Sequence, residues 1–314
     1  MPTFLDRYRS GEREQVWAEL IALGAKVREE PLYGDALSVA RETMNRARGN
    51  IELLVAHLKE LGYTFAHPEG VFTPPEADIS ERISVLERQA GPLPLSLRVW
   101  CEVVGDVNLM GSHPRLSRYA VMPSAQATAQ SYLSLFTQKL GPVAPGTDPL
   151  RQSVELSKGL LDDLVKQIRS GAPRSDRTAQ AAEMSRKLLE GMRPATQREG
   201  PDVASDPLVV EAGIGDDLQD YDCENEEEAE ASRTYAMIIA PDAIHKENCS
   251  GGGPYQIEFP NPSIDAPLEG DDDYGHFVAY LRTCFRWGGF PGLRMSKNPP
   301  VEELAILTKD LLEI

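Results

Sequence analysis

The sequence predicts an α+β fold: a mostly antiparallel sheet packed against helices, with an N-terminal helical hairpin and a helical insertion. Three observations predict it. Apolar residues recur at helical spacing through residues 1–65 and again from Asp78 to Val104. Compact β-rich runs and a strict apolar–polar alternation occur only after Asp206. Between them, about residues 118–200, the few apolar stripes are helical and Pro, Ser, Ala and Gln are frequent, the composition of an insertion.

Trp17, Leu20 and Ile21 share one helical face, followed by Leu37, Ala40, Met44 and Ala47. After Gly49-Asn50 the period resumes with Ile51, Leu54, Val55, Leu58 and Leu61, and Gly62 stops it, so a hairpin is expected. Pro68, Gly70, Pro74 and Pro75 make residues 66–77 a connector and a candidate domain boundary. Asp78 with Glu81 resembles a capping box ahead of Ile79, Ile83 and Leu86, and Gly91-Pro92 ends that helix. Leu93, Leu97, Trp100, Cys101 and Val104 form the next stripe, closed by Gly105 and followed by a short apolar piece, Val107 to Met110. Within the insertion, Ser131 to Leu140 and Leu150 to Ile168 read as helices. Pro207 to Glu211, Thr234 to Ala240 and the alternating Tyr255, Ile257 and Phe259 read as strands. Phe277, Leu281, Cys284 and Phe285 start a late helix, and Val301 to Leu312 supplies the last. The implied division is a helical segment 1–65, an α+β domain 78–293 interrupted at 118–200, and a closing helix in 294–314.

Size and charge narrow the function classes. A chain of 314 residues with 41% apolar side chains buries a full core. Cys101, Cys223, Cys249 and Cys284 are scattered without a CxxC pair, so neither a disulfide framework nor a thiolate zinc site is expected. The opening MPTFLDRYRSGEREQVW lacks a signal-peptide core and no long uncharged apolar run follows, which makes cytoplasm the expected compartment, with no membrane association. A formal charge of −17 repels phosphate backbones, so direct nucleic-acid binding is not expected and a basic protein partner is favoured.

Much of that charge is local. Residues 201–230 contain twelve Asp and Glu and no Lys or Arg. The cluster Asp216, Asp217, Asp220, Asp222, Glu224, Glu226, Glu227 and Glu228 lacks the turn glycine and terminal glutamate spacing of a calcium loop. It reads as a solvated loop or as a docking surface for a basic partner. Trp287 and Phe290 in FRWGGFPGL could join such a surface, because aromatic side chains anchor interfaces, or could close the core while Gly288 and Gly289 end the helix.

Catalytic patterns are sparse. Asp242, His245 and Cys249 in PDAIHKENC have ligand character, yet no second set completes a metal site. Gly251 to Gly253 precede a strand and lack a following Lys-Ser/Thr, so they suit a turn better than a phosphate cradle. Cys101 and Cys284 lie on apolar stripes, as small core residues do. No cofactor motif is present, and neither a catalytic nor a metal residue is assigned.

Four stretches carry a resemblance: GPLPLSLRVWCEVVGDVNLMG (Gly91 to Gly111), DPLVVE (Asp206 to Glu211), IIAPDAIHKENCSGGGPYQIEFP (Ile238 to Pro260) and FVAYLRTCFRWGGFPGL (Phe277 to Leu293). Together they resemble an uncharacterised bacterial protein family related to the SUKH superfamily, over roughly Asp78 to Leu116 and Asp202 to Leu293. The resemblance implies an α+β fold and a protein-binding role, as an immunity protein that neutralises a toxin, such as a basic nuclease, or as an intracellular adaptor. It carries over no catalytic residues. Two other readings stand beside it: a metal-dependent hydrolase using a site near Asp242 and His245, and an assembly factor acting through the N-terminal helices.

Overall fold

Local signals start the first helix. In the computed structural model, which describes residues 2–119, 201–215, 222–223, 233–249, 251–270 and 274–314, α1 (Phe4–Ser10) opens on a reciprocal capping box between Thr3 and Asp6. Its first N–H groups also receive help from a distance: the Asp35 carboxylate accepts from Phe4 N at 2.6 Å and Leu5 N at 3.1 Å. α2 (Arg13–Ala22) buries Val16, Trp17 and Leu20, and the Trp17 indole donates to Thr43 Oγ1 at 3.1 Å.

The expected hairpin does not form, because Gly49-Asn50 does not interrupt the helix. α3 (Leu32–Glu60) is one element of 29 residues. Its buried stripe passes through that point, from Met44 and Ala47 to Ile51, Leu54 and Leu58. A glycine inside a helix costs about 1 kcal/mol, whereas burying one large aliphatic side chain contributes about 1.5–3 kcal/mol. The stripe wins.

The connector holds two short strands, β1 (Thr64–Phe65) and β2 (Phe72–Thr73). α4 (Ile79–Ala90) follows Asp78, whose side chain makes no cap hydrogen bond, so the predicted capping box is absent. Gly91, with φ 90°, ends α4 as its position suggests. α5 (Leu95–Val103) buries residues on nearly every side, Trp100 and Cys101 among them, and packs against α3.

Gly105 lets the chain turn from α5 into the first sheet. It sits at φ 86°, and a Cβ there would run into the Thr73 carbonyl and the Pro74–Pro75 backbone. Gly105→Ala is therefore expected to lower unfolding stability by about 1–3 kcal/mol, through left-handed strain and overpacking together. Urea unfolding followed by tryptophan fluorescence measures the loss.

Strands β3 (Asp106–Asn108), β4 (Gly111–His113), β5 (Ser117–Arg118), β6 (Val209–Val210), β7 (Asp222–Cys223), β8 (Tyr235–Ala240) and β9 (Tyr255–Phe259) complete the sheets. The fold is α+β as predicted, but among the described residues the strands form three antiparallel sheets of three rather than one: β1-β4-β5, β2-β3-β6 and β7-β8-β9. Seven of the nine strands are two or three residues long, too short for one extended sheet. β8 and β9 form the longest ladder, pairing Tyr235 with Phe259 and Ile238 with Gln256, with an irregularity between Ile238 and Ala240. Along β9, Tyr255, Ile257 and Phe259 are buried and the residues between them half-buried, the predicted alternation.

α6 (Phe277–Arg286) buries Phe277, Tyr280, Leu281, Cys284 and Phe285, and Trp100 meets Phe277 edge-on at 5.6 Å. α7 (Val301–Leu307) stops earlier than its apolar pattern suggests; Asp310, at φ 61°, turns the chain away from helix. The chain divides into two units, residues 1–120 with 198–314, and residues 121–197. The N-terminal helices thus share a unit with all nine strands found among the described residues. The predicted helices Ser131 to Leu140 and Leu150 to Ile168 lie outside the described residues.

Candidate functional site

Among the described residues, two of the acidic segment belong to a sheet. Asp222 and Cys223 form β7, an edge strand, with Asp222 opposite Ala236 and Cys223 opposite Tyr235 of β8. Asp216, Asp217, Asp220, Glu224, Glu226, Glu227 and Glu228 lie outside the described residues. On β8, inward Tyr235, Met237 and Ile239 are buried, while Ile238 points outward and is 49% exposed. Its cross-strand neighbour Gln256 is half-buried, and Ile244, in the turn after β8, is 48% exposed. β8 and the turn after it thus expose two isoleucines.

The aromatic pair separates. Phe290 is fully buried, its ring 5.7 Å from that of Tyr63, and cannot be presented to a partner. This corrects its assignment to a binding surface: Gly288 and Gly289, at φ 60° and 91°, turn the chain so that Phe290 drops back into the core. Trp287 is only half-buried and packs against the core edge.

Asp242 and His245 do come together. The turn after β8 ends in a short 3-10 segment, His245–Glu247. Asp242 Oδ1 accepts from Ile244 N and His245 N at 2.8 and 3.2 Å, and Oδ2 lies 2.5 Å from His245 Nδ1. Burial pushes this carboxyl upward, but the hydrogen bonds from His245, Ile244 and Gly252 outweigh it and hold the carboxyl below its ordinary value. Gly251 packs on the same carboxylate so closely that a Cβ would overlap it. The glycine run is thus shaped around Asp242.

The arrangement orients the imidazole and directs its Nδ1 inward, as a carboxylate commonly does for a histidine that binds or accepts a proton through the other nitrogen. Cys249 is apart from the pair: its Sγ points to the Glu247 carbonyl at 3.8 Å. Among the described residues no group of three His, Cys, Asp or Glu side chains is placed to hold a metal ion. Cys101 and Cys284 are buried core residues, and burial raises both thiols, Cys101 to about 12.

One residue further along is a polar centre that the sequence does not signal. Lys246 is fully buried and its Nζ lies 2.6 Å from Oδ1 of Asp206, also fully buried. Asp206 Oδ2 accepts from Tyr255 at 3.1 Å and Tyr274 at 2.6 Å. Tyr280 is 3.3 Å from the ammonium, which lies over the Tyr255 ring at 4.7 Å. Asp206 reaches this position at φ 51°, a left-handed conformation unusual for aspartate. Burial raises the phenols of Tyr274 and Tyr280, and the Asp206 charge adds to both shifts, so both stay protonated donors. Forty residues separate Asp206 from Lys246, and no spacing rule links them. The one local hint is a lysine followed by inward tyrosines on β9 and α6, Tyr255 and Tyr280.

With this geometry in hand, the class is plain: an α+β protein with short antiparallel sheets, a 29-residue helix and a buried ion-pair centre. No protein-family model matches the chain, and neither the curated proteins nor the solved structures contain a match. Among the described residues no helix is long and apolar enough to cross a membrane.

Proposed function

We propose that this chain is a protein-binding module of the cytoplasm whose acidic segment, Asp216 to Glu230, captures a basic protein partner. The observation that carries the reading is the β7–β8 pairing, which sets Asp222 and Cys223 on a sheet edge, with exposed Ile238 two residues along β8 from Ala236, the partner of Asp222. A tethered acidic run steers a basic partner to that edge, and an apolar side chain next to it supplies contact area that persists once the charges meet. The resemblance to the SUKH-related family supports an immunity or adaptor role, with a basic nuclease toxin as a partner whose phosphate-binding surface the carboxylates would cover. The hydrolase reading draws on the Asp242–His245 contact alone, and the hydrogen bonds of both Asp242 oxygens come from its own turn.

The test is affinity capture of the tagged chain from its native cytoplasm at low and moderate salt, followed by stopped-flow association with the retained protein. The expected result is a stoichiometric basic partner whose association slows by roughly 10–100-fold on going from low to physiological salt. Replacing the nine Asp and Glu of residues 216–230 by Asn and Gln should remove most of that salt dependence. A salt-insensitive on-rate, or unchanged association of the neutralised chain, would overturn the mechanism.

A further inference from the structure

Residues Leu312 to Ile314 are gripped by side chains from three helices. Asn50, fully buried in the middle of α3, spends both ends of its amide on one residue: Nδ2 donates to the Leu312 carbonyl at 2.8 Å and Oδ1 accepts from Leu312 N at 2.7 Å. One turn earlier Arg46, which also pairs with Glu42, donates to the Glu313 carbonyl at 3.3 Å. Arg13 of α2 meets the Glu313 carboxylate at 2.7 Å. Arg282 of α6 donates through Nε to the Ile314 oxygen at 2.8 Å, and the Ile314 side chain is only 4% exposed.

The grip has the form of a recognition site rather than of ordinary core packing. A buried asparagine on an apolar stripe is costly unless its amide is satisfied, and here that amide reads the backbone of one extended residue as a neighbouring strand would. Arg13 meets the carboxylate of the next residue, Arg46 and Arg282 hold main-chain oxygens, and the aliphatic side chain after it is buried. Two of its three residues are lightly buried, Leu312 at 52% exposed and the Glu313 side chain at 84%, and Ile314 alone is enclosed. Alongside it runs an open groove of about 660 Å³, bordered by Gln15, Phe285, Arg286 and Leu311. Segments with so little burial open at a small fraction of the global unfolding free energy.

We propose that this three-helix clamp is a binding site for an extended peptide in which an acidic residue precedes an aliphatic one. Residues 312–314 fill it in cis and exchange with a peptide of the same chemistry supplied in trans. The site is separate from the acidic sheet edge and does not depend on the role proposed for it.

Two measurements test the exchange. In the full wild-type chain, amide hydrogen exchange at Leu312 should proceed by local opening, with little dependence on low denaturant, while Leu54 and Leu58 in α3 exchange only through global unfolding. Identical denaturant dependence at all three would make the strap a fixed part of the core and overturn the proposal. In the second, a fluorescein-labelled peptide of residues 308–314, TKDLLEI, is titrated by anisotropy into the full chain carrying Leu312→Pro, which lacks the N–H that Asn50 accepts. Binding should be about tenfold tighter than to wild type, whose clamp is filled, and adding Asn50→Ala should weaken it about tenfold, the worth of a pair of buried neutral hydrogen bonds. Absence of binding to a folded Leu312→Pro chain, or binding indifferent to Asn50→Ala, would equally refute it. Should Leu312→Pro not fold, the wild-type exchange result decides.

Discussion

Lys246→Ala is expected to cost about 3–5 kcal/mol of unfolding stability, the size associated with removing one partner of a buried ion pair. The loss is not the worth of the Lys246–Asp206 attraction. It is the penalty of leaving Asp206 charged and fully buried, with Tyr255 and Tyr274 as its remaining donors among the described residues. Thermal unfolding monitored by circular dichroism should show Tm falling by roughly 10 °C, given that 1 kcal/mol corresponds to about 2–4 °C for a domain of this size. Pairing Lys246→Met with Asp206→Leu should recover part of the stability, because no charge is then stranded, but not all of it, because the Tyr255 and Tyr274 hydroxyls lose their acceptor. A loss below about 1 kcal/mol for Lys246→Ala would mean that the carboxylate is not stranded when its partner is removed, and would overturn this account of the pair.

The second large effect is a pH dependence set by Asp265. This carboxyl is buried where α6 begins and accepts from Ser96 Oγ at 2.7 Å, Ala266 N at 3.1 Å and Val278 N at 3.1 Å. It thereby caps α6 from outside, since His276 at the N-cap position makes no side-chain bond. Burial raises the carboxyl from its ordinary 3.8 to about 7, although the three donors favour the anion and oppose the rise. The folded chain therefore keeps a proton that the unfolded chain releases between pH 4 and 7. This contribution to stability is complete below the unfolded value and disappears as pH rises through about 7, with a full span on the order of 4 kcal/mol. Asp265→Asn cannot titrate, so the difference in unfolding free energy between wild type and variant should shrink steadily as pH is raised from 4 to 8. A difference that is flat over this range would show that Asp265 is ionised throughout.

Helix positions and their inward faces were largely legible in the sequence, because a 3.6-residue apolar period survives whatever the helix packs against. Residues 37–61 show both the strength and the limit of that signal. The stripe was readable on each side of Gly49-Asn50, but the cost of a mid-helix glycine is small beside the burial of Met44, Ile51 and Leu54, so the apparent break was overridden by packing. The strands at Tyr235–Ala240 and Tyr255–Phe259 were legible from β-rich content and alternation. The division into three small sheets was not, because pairing between strands as distant as Val107 and Val210 depends on topology rather than on local pattern.

The site divides in the same way. The sequence by itself determined the acidic run, the overall charge of −17, the α+β class and the core placement of Cys101 and Cys284. All of these are properties of composition or of local period. Only the tertiary structure decided that Phe290 turns inward, that Asp242 takes His245 and not Cys249, and that Asn50 serves Leu312 from 262 residues away. It alone joined Asp206 to Lys246 at zero exposure. The physical reason is common to all four: a buried polar or aromatic group is stable only with partners that satisfy or enclose it, and those partners are chosen by the packing of distant segments, about which spacing along the chain carries no information.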